Sequence, residues 1–124
     1  MGIKYRLLLG FLCALAPHSS AWAFSASFKW CSGESPSFSL VDVPKGTKVL
    51  SFHMDDLMMA SYNHGGGELN FTGQKTIACG ALGFSSYRGP APPNGQHKYR
   101  FTVRALDPNG RELGTASYER LFPE

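Results

Sequence analysis

The stretch from Lys98 to Phe122 constrains this chain most. Lys98–Leu106 (KYRFTVRAL) alternates apolar with polar or charged residues, so Tyr99, Phe101, Val103 and Ala105 fall on one face. Successive side chains of an extended chain point to opposite sides of a sheet, so period-two alternation marks a half-buried strand. Asp107-Pro108-Asn109-Gly110 follows as a strong turn signal, and Arg111–Phe122 returns as the last strand of a hairpin.

The preceding segments have the same character. Ser25–Trp30 alternates small or polar with aromatic residues, and Lys48–Asp56 sets Leu50, Phe52, Met54 and Asp56 opposite Val49, Ser51, His53 and Asp55. Cys31–Ser37 is dense in turn formers, Phe38–Leu40 is a short strand, and Val43–Thr47 is a tight turn. Glu68–Phe71 and Thr76–Cys79 are further short strands. No segment reads as a long amphipathic helix, so the expected class is mostly β. A chain of 124 residues supports one domain, and its 43% apolar fraction with sixteen aromatics suits a packed core.

Residues 1–23 read as an export signal. Lys4 and Arg6 precede the ten-residue apolar run Leu7–Ala16, and Ala21-Trp22-Ala23 fits a small-x-small cleavage site. The run is shorter than the roughly 20 residues a transmembrane helix needs. Cys13 lacks the small-residue surroundings of a lipoprotein cysteine. The organisation expected is thus a signal peptide over 1–23 and a β domain over 24–124, periplasmic or secreted, with no transmembrane segment in the mature chain. Those 101 residues hold ten Lys+Arg against nine Asp+Glu. The basic residues Lys98, Arg100, Arg104, Arg111 and Arg120 are spaced as on the solvent side of strands, which argues against nucleic acid as a partner. Cys31 and Cys79 are the two cysteines outside the signal; in an exported domain they read as one disulfide, the alternative being two unpaired small hydrophobes.

Two long connections interrupt the strands. Leu57–Gly67 follows Asp56 and ends in His64-Gly65-Gly66-Gly67, and Gly83–Gly95 carries Pro90, Pro92 and Pro93. Long loops in compact domains are usually functional or mobile. Here the sequence resembles the phosphatidylethanolamine-binding protein family, in particular its small bacterial branch. That family carries an Asp-Pro-Asp-x-Pro motif, a histidine after it, and a Gly-Pro-x-Pro-Pro segment leading to Gly-x-His-x-Tyr-x-Phe-x-Val. This chain has Gly89-Pro90-Ala91-Pro92-Pro93, then Gly95-Gln96-His97-Lys98-Tyr99-Arg100-Phe101-Thr102-Val103. Ser35-Pro36 and Val43-Pro44-Lys45-Gly46-Thr47 resemble the family's opening strand and turn, and the likeness covers most of Phe28–Asp107.

The resemblance implies a β-sandwich of antiparallel and mixed strands with little helix, and a small surface pocket for anionic groups such as phosphate or a phospholipid headgroup. It also implies ligand-binding roles for Asp56, His64, Gly89, Pro90, His97 and Tyr99. Histidines donate N–H groups to oxyanions, and Asp56 would orient both histidines. The chain departs from the family at Asp56-Leu57-Met58-Met59-Ala60, where the second Asp and both prolines are missing, and at its end, a hairpin instead of helices. The resemblance therefore carries the fold further than it carries ligand affinity.

Other readings compete. Tyr99 also suits plain core packing, and Gly65–Gly67 a flexible turn. Met54, Met58, Met59, His53 and His64 offer copper-type ligands, although His53 and Met54 point to opposite faces. Asp56, His64 and His97 hold acid–base groups, but no Ser or Cys sits in a nucleophile motif. The expectation is a non-enzymatic exported binding protein without a cofactor, taking a small anionic ligand or phospholipid headgroup. The alternative is a protein-interaction or inhibitor-like regulator of a protease or kinase, with a vestigial pocket and a protein partner.

Overall fold

Each alternating segment forms a strand in the computed structural model, which describes residues 23–83 and 86–124 together with Gly2 and Gly10. The rest of the segment read as an export signal lies outside the described residues. Seven strands follow in chain order among those described: β1 (Ser25–Cys31), β2 (Glu34–Val41), β3 (Val49–Asp56), β4 (Gly66–Asn70), β5 (Thr76–Ile77), β6 (His97–Leu106) and β7 (Glu112–Phe122). They form two sheets, ordered β1-β2-β5 and β4-β3-β6-β7. The expected β-sandwich is present, and all five ladders between these strands are antiparallel, with no mixed pairing among them.

The core lies where the inner faces meet. Leu50, Phe52, Met54 and Asp56 of β3 are buried, as are Tyr99, Phe101, Val103 and Ala105 of β6. Sheet β1-β2-β5 contributes Ala26, Phe28, Phe38, Leu40 and Ile77. Phenylalanines interlock across the layers: Phe38 lies 4.7 Å from Phe52 and 5.0 Å from Phe101, and Phe28 lies 5.0 Å from Phe101 between ring centroids. Full burial of each such side chain contributes about 1.5–3 kcal/mol, and the tilted or edge-on ring pairs add to it. Along one side β1 meets β7, where the Trp30 indole N–H donates to the Leu121 carbonyl at 2.8 Å and Arg120 Nη1 donates to the Phe28 carbonyl at 3.2 Å.

The turn-forming segment Cys31–Ser37 is mostly strand. The reversal is confined to Ser32-Gly33, and β2 begins at Glu34. Pro36 is tolerated because the β1–β2 register shifts between Lys29 and Cys31, a bulge where a missing N–H removes no paired ladder bond. Ser35 is buried; its hydroxyl accepts the Leu82 amide at 3.1 Å and its carbonyl accepts the Gly80 amide at 2.9 Å. These bonds fasten the segment after β5 to β2. Cys31 and Cys79 are joined there in a disulfide, their Cα atoms 5.9 Å apart and 48 positions apart in sequence. On the chain-entropy model, closing a loop of that length contributes about 4 kcal/mol. No helix among the described residues is long and apolar enough to cross a membrane.

Candidate functional site

Strands β3 and β6 pair from Val49 opposite Leu106 to Asp56 opposite Tyr99. Asp56 therefore ends its strand on the inner face, beside Tyr99, and His97 stands two residues earlier on the same face of β6. The His97 Nδ1–H donates to Asp56 Oδ2 at 2.7 Å, with both side chains buried. The other carboxylate oxygen, Oδ1, accepts the Met58 and Met59 amides at 2.8 and 3.1 Å. Burial by itself raises the Asp56 pKa; the hydrogen bond and charge of His97 and the two amides outweigh it, and the net shift is downward.

His64 reaches the same region by a different route. Its Nδ1–H donates to the Arg88 carbonyl at 2.8 Å, and the Arg88 amide donates back to the His64 carbonyl at 2.8 Å. Gly65 forms an antiparallel bridge with Tyr87, and the Gly66 amide donates to the Ser86 carbonyl at 2.6 Å. The two long connections are thus laced together by their backbones. The glycines permit it: a Cβ on Gly65 would lie 2.1 Å from the Ser86 carbonyl oxygen, and one on Gly66 would lie 1.8 Å from the Phe52 carbonyl oxygen. Gly65 and Gly66 mark close backbone approach rather than the flexible turn that their run suggests.

Between these parts lies a cavity of about 160 Å³, lined by Asp56, Met59, Tyr62, His64, Gly89, Ala91, Pro93 and Tyr99. The Tyr62 ring packs on the His64 ring at 4.5 Å, and Tyr99 meets His64 edge-on at 5.4 Å. Tyr99 is fully buried; its hydroxyl makes no hydrogen bond of good geometry among the described residues, with the Asp56 carboxylate and the Ala91 backbone beside it. Burial, then the adjacent Asp56 carboxylate, push its pKa up to about 12, so it remains a donor at neutral pH. The His64 tautomer is fixed by chemistry: a carbonyl only accepts, so Nδ1 carries the proton. In the neutral ring Nε2 is then a bare acceptor, and it becomes a donor only on protonation.

Of the six residues expected to bind ligand, Asp56, His64, Gly89 and Tyr99 line this cavity, whereas His97 and Pro90 do not. His97 stacks beside Tyr99 with centroids 6.3 Å apart and acts on the cavity through Asp56. Asp56 orients one histidine rather than both, since a backbone carbonyl holds His64. Pro90 instead lines a larger neighbouring cleft of about 450 Å³ with Trp30, Tyr87 and Phe122, and Gly89 belongs to the walls of both. Of the other lining residues, Met59 was weighed only as a copper-type ligand, Ala91 and Pro93 only as part of the Gly-Pro-x-Pro-Pro segment, and Tyr62 not at all. Tyr62 carries the one signal that pointed to it, an aromatic two positions before His64 in the same loop. His53 lies on the outer face, 3.2 Å from Asp55, far from any arrangement with Met54, which is buried.

The fold has a known counterpart. The chain is similar to the crystal structure of a phosphatidylethanolamine-binding protein homologue from Chlamydia trachomatis D/UW-3/CX, with a TM-score of 0.61 and 21% sequence identity over 86% of this chain and 95% of that one. No protein-family model matches the chain, and no curated protein matches it. At this identity the likeness establishes the fold.

Proposed function

We propose that this chain is an exported, non-enzymatic binding protein whose cavity between Asp56, His64 and Tyr99 takes a small oxyanion, a phosphate or a headgroup that carries one. The observation that carries this reading is the Tyr99 hydroxyl, a buried donor in the wall of a cavity that makes no hydrogen bond of good geometry among the described residues, with the Asp56 carboxylate beside it. An unmet buried polar group costs about 1–3 kcal/mol, so an oxyanion that accepts from it gains what the ligand-free protein lacks. His64 Nε2 is the second recognition atom: it accepts from a protonated oxyanion or, once protonated, donates to an anionic one. Asp56 and His97 hold the floor, and the glycine clamps at 65 and 66 hold the wall. The disulfide Cys31–Cys79 supports an oxidising, exported setting.

Titration with phosphate and with phosphoethanolamine, followed by NMR, tests the reading. His64→Ala weakens binding roughly tenfold to a hundredfold, the loss of one charge-assisted hydrogen bond. Tyr99→Phe weakens it about tenfold while leaving the ligand-free protein as stable as before or more so. Equal affinities for all three proteins, or no binding at any pH, would overturn the oxyanion reading and leave an interaction protein with a vestigial pocket.

A further inference from the structure

The loop between β3 and β4 presents large apolar side chains to solvent. Met58 is 66% exposed, Tyr62 44% and Met59 40%, so one loop holds half of the six large exposed hydrophobics among the described residues. Their exposure is built in. The Met59 amide donates to the Asp56 carbonyl at 3.2 Å and the Tyr62 amide to the Met59 carbonyl at 3.1 Å, two successive turns that hold the tip outward. Asp56 caps the first turn through Oδ1, and the two hydrogen bonds between His64 and the Arg88 backbone close its far side. Exposed methionines held on a fixed turn form an adaptable apolar surface without a covering element.

The charge around this tip is one-sided. Residues 57–65 and 83–98 contain no Asp or Glu, but they contain Arg88 and Lys98, both exposed. The backbones of these two cations bracket the loop: the Leu57 amide donates to the Lys98 carbonyl at 2.9 Å, the Arg88 amide donates to the His64 carbonyl, and the Arg88 carbonyl accepts from His64 Nδ1. Neither side chain makes an ion pair among the described residues, whereas Arg100, Arg111 and Arg120 each have a carboxylate partner. Apolar side chains that enter a headgroup layer, bordered by cations that meet anionic lipid, are the chemistry of interfacial membrane attachment.

We propose that the tip Met58–Tyr62, flanked by Arg88 and Lys98, docks this protein on the surface of an anionic phospholipid bilayer. Met58 and Tyr62 enter the headgroup layer, and the two cations stay at its phosphate plane. This assignment rests on the exposed loop and its charge rather than on what the cavity takes; Met59 and Tyr62 also line the cavity, and Met58 does not.

Co-sedimentation of the mature protein with vesicles of phosphatidylcholine, alone and mixed with phosphatidylglycerol, tests it. The protein should sediment with the mixed vesicles and weaken as salt is raised. Met58→Asp should weaken this at least about tenfold, and Met58→Leu should preserve it. Arg88→Gln and Lys98→Gln should each cost about fivefold. Met58 lies outside the cavity lining, so phosphate titration of Met58→Asp reads the cavity separately, and loss of phosphate binding alone leaves the docking assignment intact. No sedimentation with either vesicle would overturn the proposal, as would Met58→Asp sedimenting like the wild type. Equal sedimentation with neutral and anionic vesicles would overturn its charge component.

Discussion

Two aspartates end the two sides of the β3–β6 ladder, and their differences are instructive. Asp107, after β6, uses Oδ1 to accept the Asn109 and Arg111 amides at 2.8 and 2.9 Å. Asp56, the last residue of β3, uses Oδ1 to accept the Met58 and Met59 amides at 2.8 and 3.1 Å. The local device is the same, a carboxylate that caps the turn it begins. Yet the second oxygen of Asp107 faces only the exposed Arg111 guanidinium at 3.7 Å, while that of Asp56 holds His97 at 2.7 Å inside the protein. One end is a turn made by neighbours in sequence. The other is a site made by residues up to 41 positions apart, and its parts fail when separated.

The glycines at the two ends offer the largest test of that contrast. Gly110 has φ +80° and open space around it, so Gly110→Ala should cost about 1 kcal/mol, the left-handed penalty alone. Gly66→Ala should cost on the order of 4 kcal/mol or more, because its Cβ would run into the β3 backbone at Phe52 and His53. Denaturant unfolding of the two variants measures this; similar losses would break the distinction between a local and a long-range end.

The aspartates come next in size. Asp56→Ala strands the buried His97 N–H and two amides and should cost about 3 kcal/mol, against about 1 kcal/mol for Asp107→Ala. The acid limb of stability sharpens this. Asp56 has its pKa lowered on folding, so the unfolded chain binds more protons near the ordinary aspartate pKa of 3.8. Its contribution is complete above that value and is lost as pH falls through the lower folded pKa. Unfolding measured from pH 6 to pH 2 should therefore fall less steeply in Asp56→Asn than in the wild type below about pH 4. Parallel acid limbs would show that the carboxylate charge is not what Asp56 contributes.

A smaller effect is spectroscopic. Tyr87 and Tyr99 both have buried hydroxyls without a hydrogen bond of good geometry among the described residues, and burial raises both pKa values. Their folded pKa values lie above the ordinary tyrosine value of 10.0, so their neutral forms stabilise the fold below pH 10 and that contribution drains away as pH rises further. Absorbance titration of tyrosinate should show two residues ionising only above pH 10, in step with unfolding. Ionisation of all tyrosines near pH 10 without loss of structure would contradict their burial.

The same contrast explains what the sequence disclosed. Alternation revealed β1, β3 and β6, because a strand's burial pattern is written in consecutive residues, and the turn after β6 pointed to β7 as its returning partner. Asp107–Gly110 announced its turn for the same reason. The start of β2 was hidden, because Ser35 and Pro36 look like turn residues until the bulge opposite them and the Leu82 amide are in view. At the site, resemblance supplied Asp56, His64, Gly89 and Tyr99, but it also suggested direct roles for His97 and Pro90 that the geometry redistributes. That Asp56 serves His97, and that the Arg88 carbonyl serves His64, depends on strand register and on a two-residue bridge between loops, which no local pattern encodes. Gly65 and Gly66 read as mobility and are instead fixed points.

The central claim is that the long-range end is assembled to present Tyr99 and His64 to an oxyanion. The most direct measurement is a crystal structure of the mature protein with phosphate or phosphoethanolamine. The account predicts an oxyanion in the cavity of about 160 Å³, its oxygens about 2.6–3.2 Å from the Tyr99 hydroxyl and His64 Nε2, with the Asp56–His97 pair unchanged. An empty cavity at saturating ligand, or the ligand seated instead in the neighbouring cleft of Trp30 and Phe122, would contradict it.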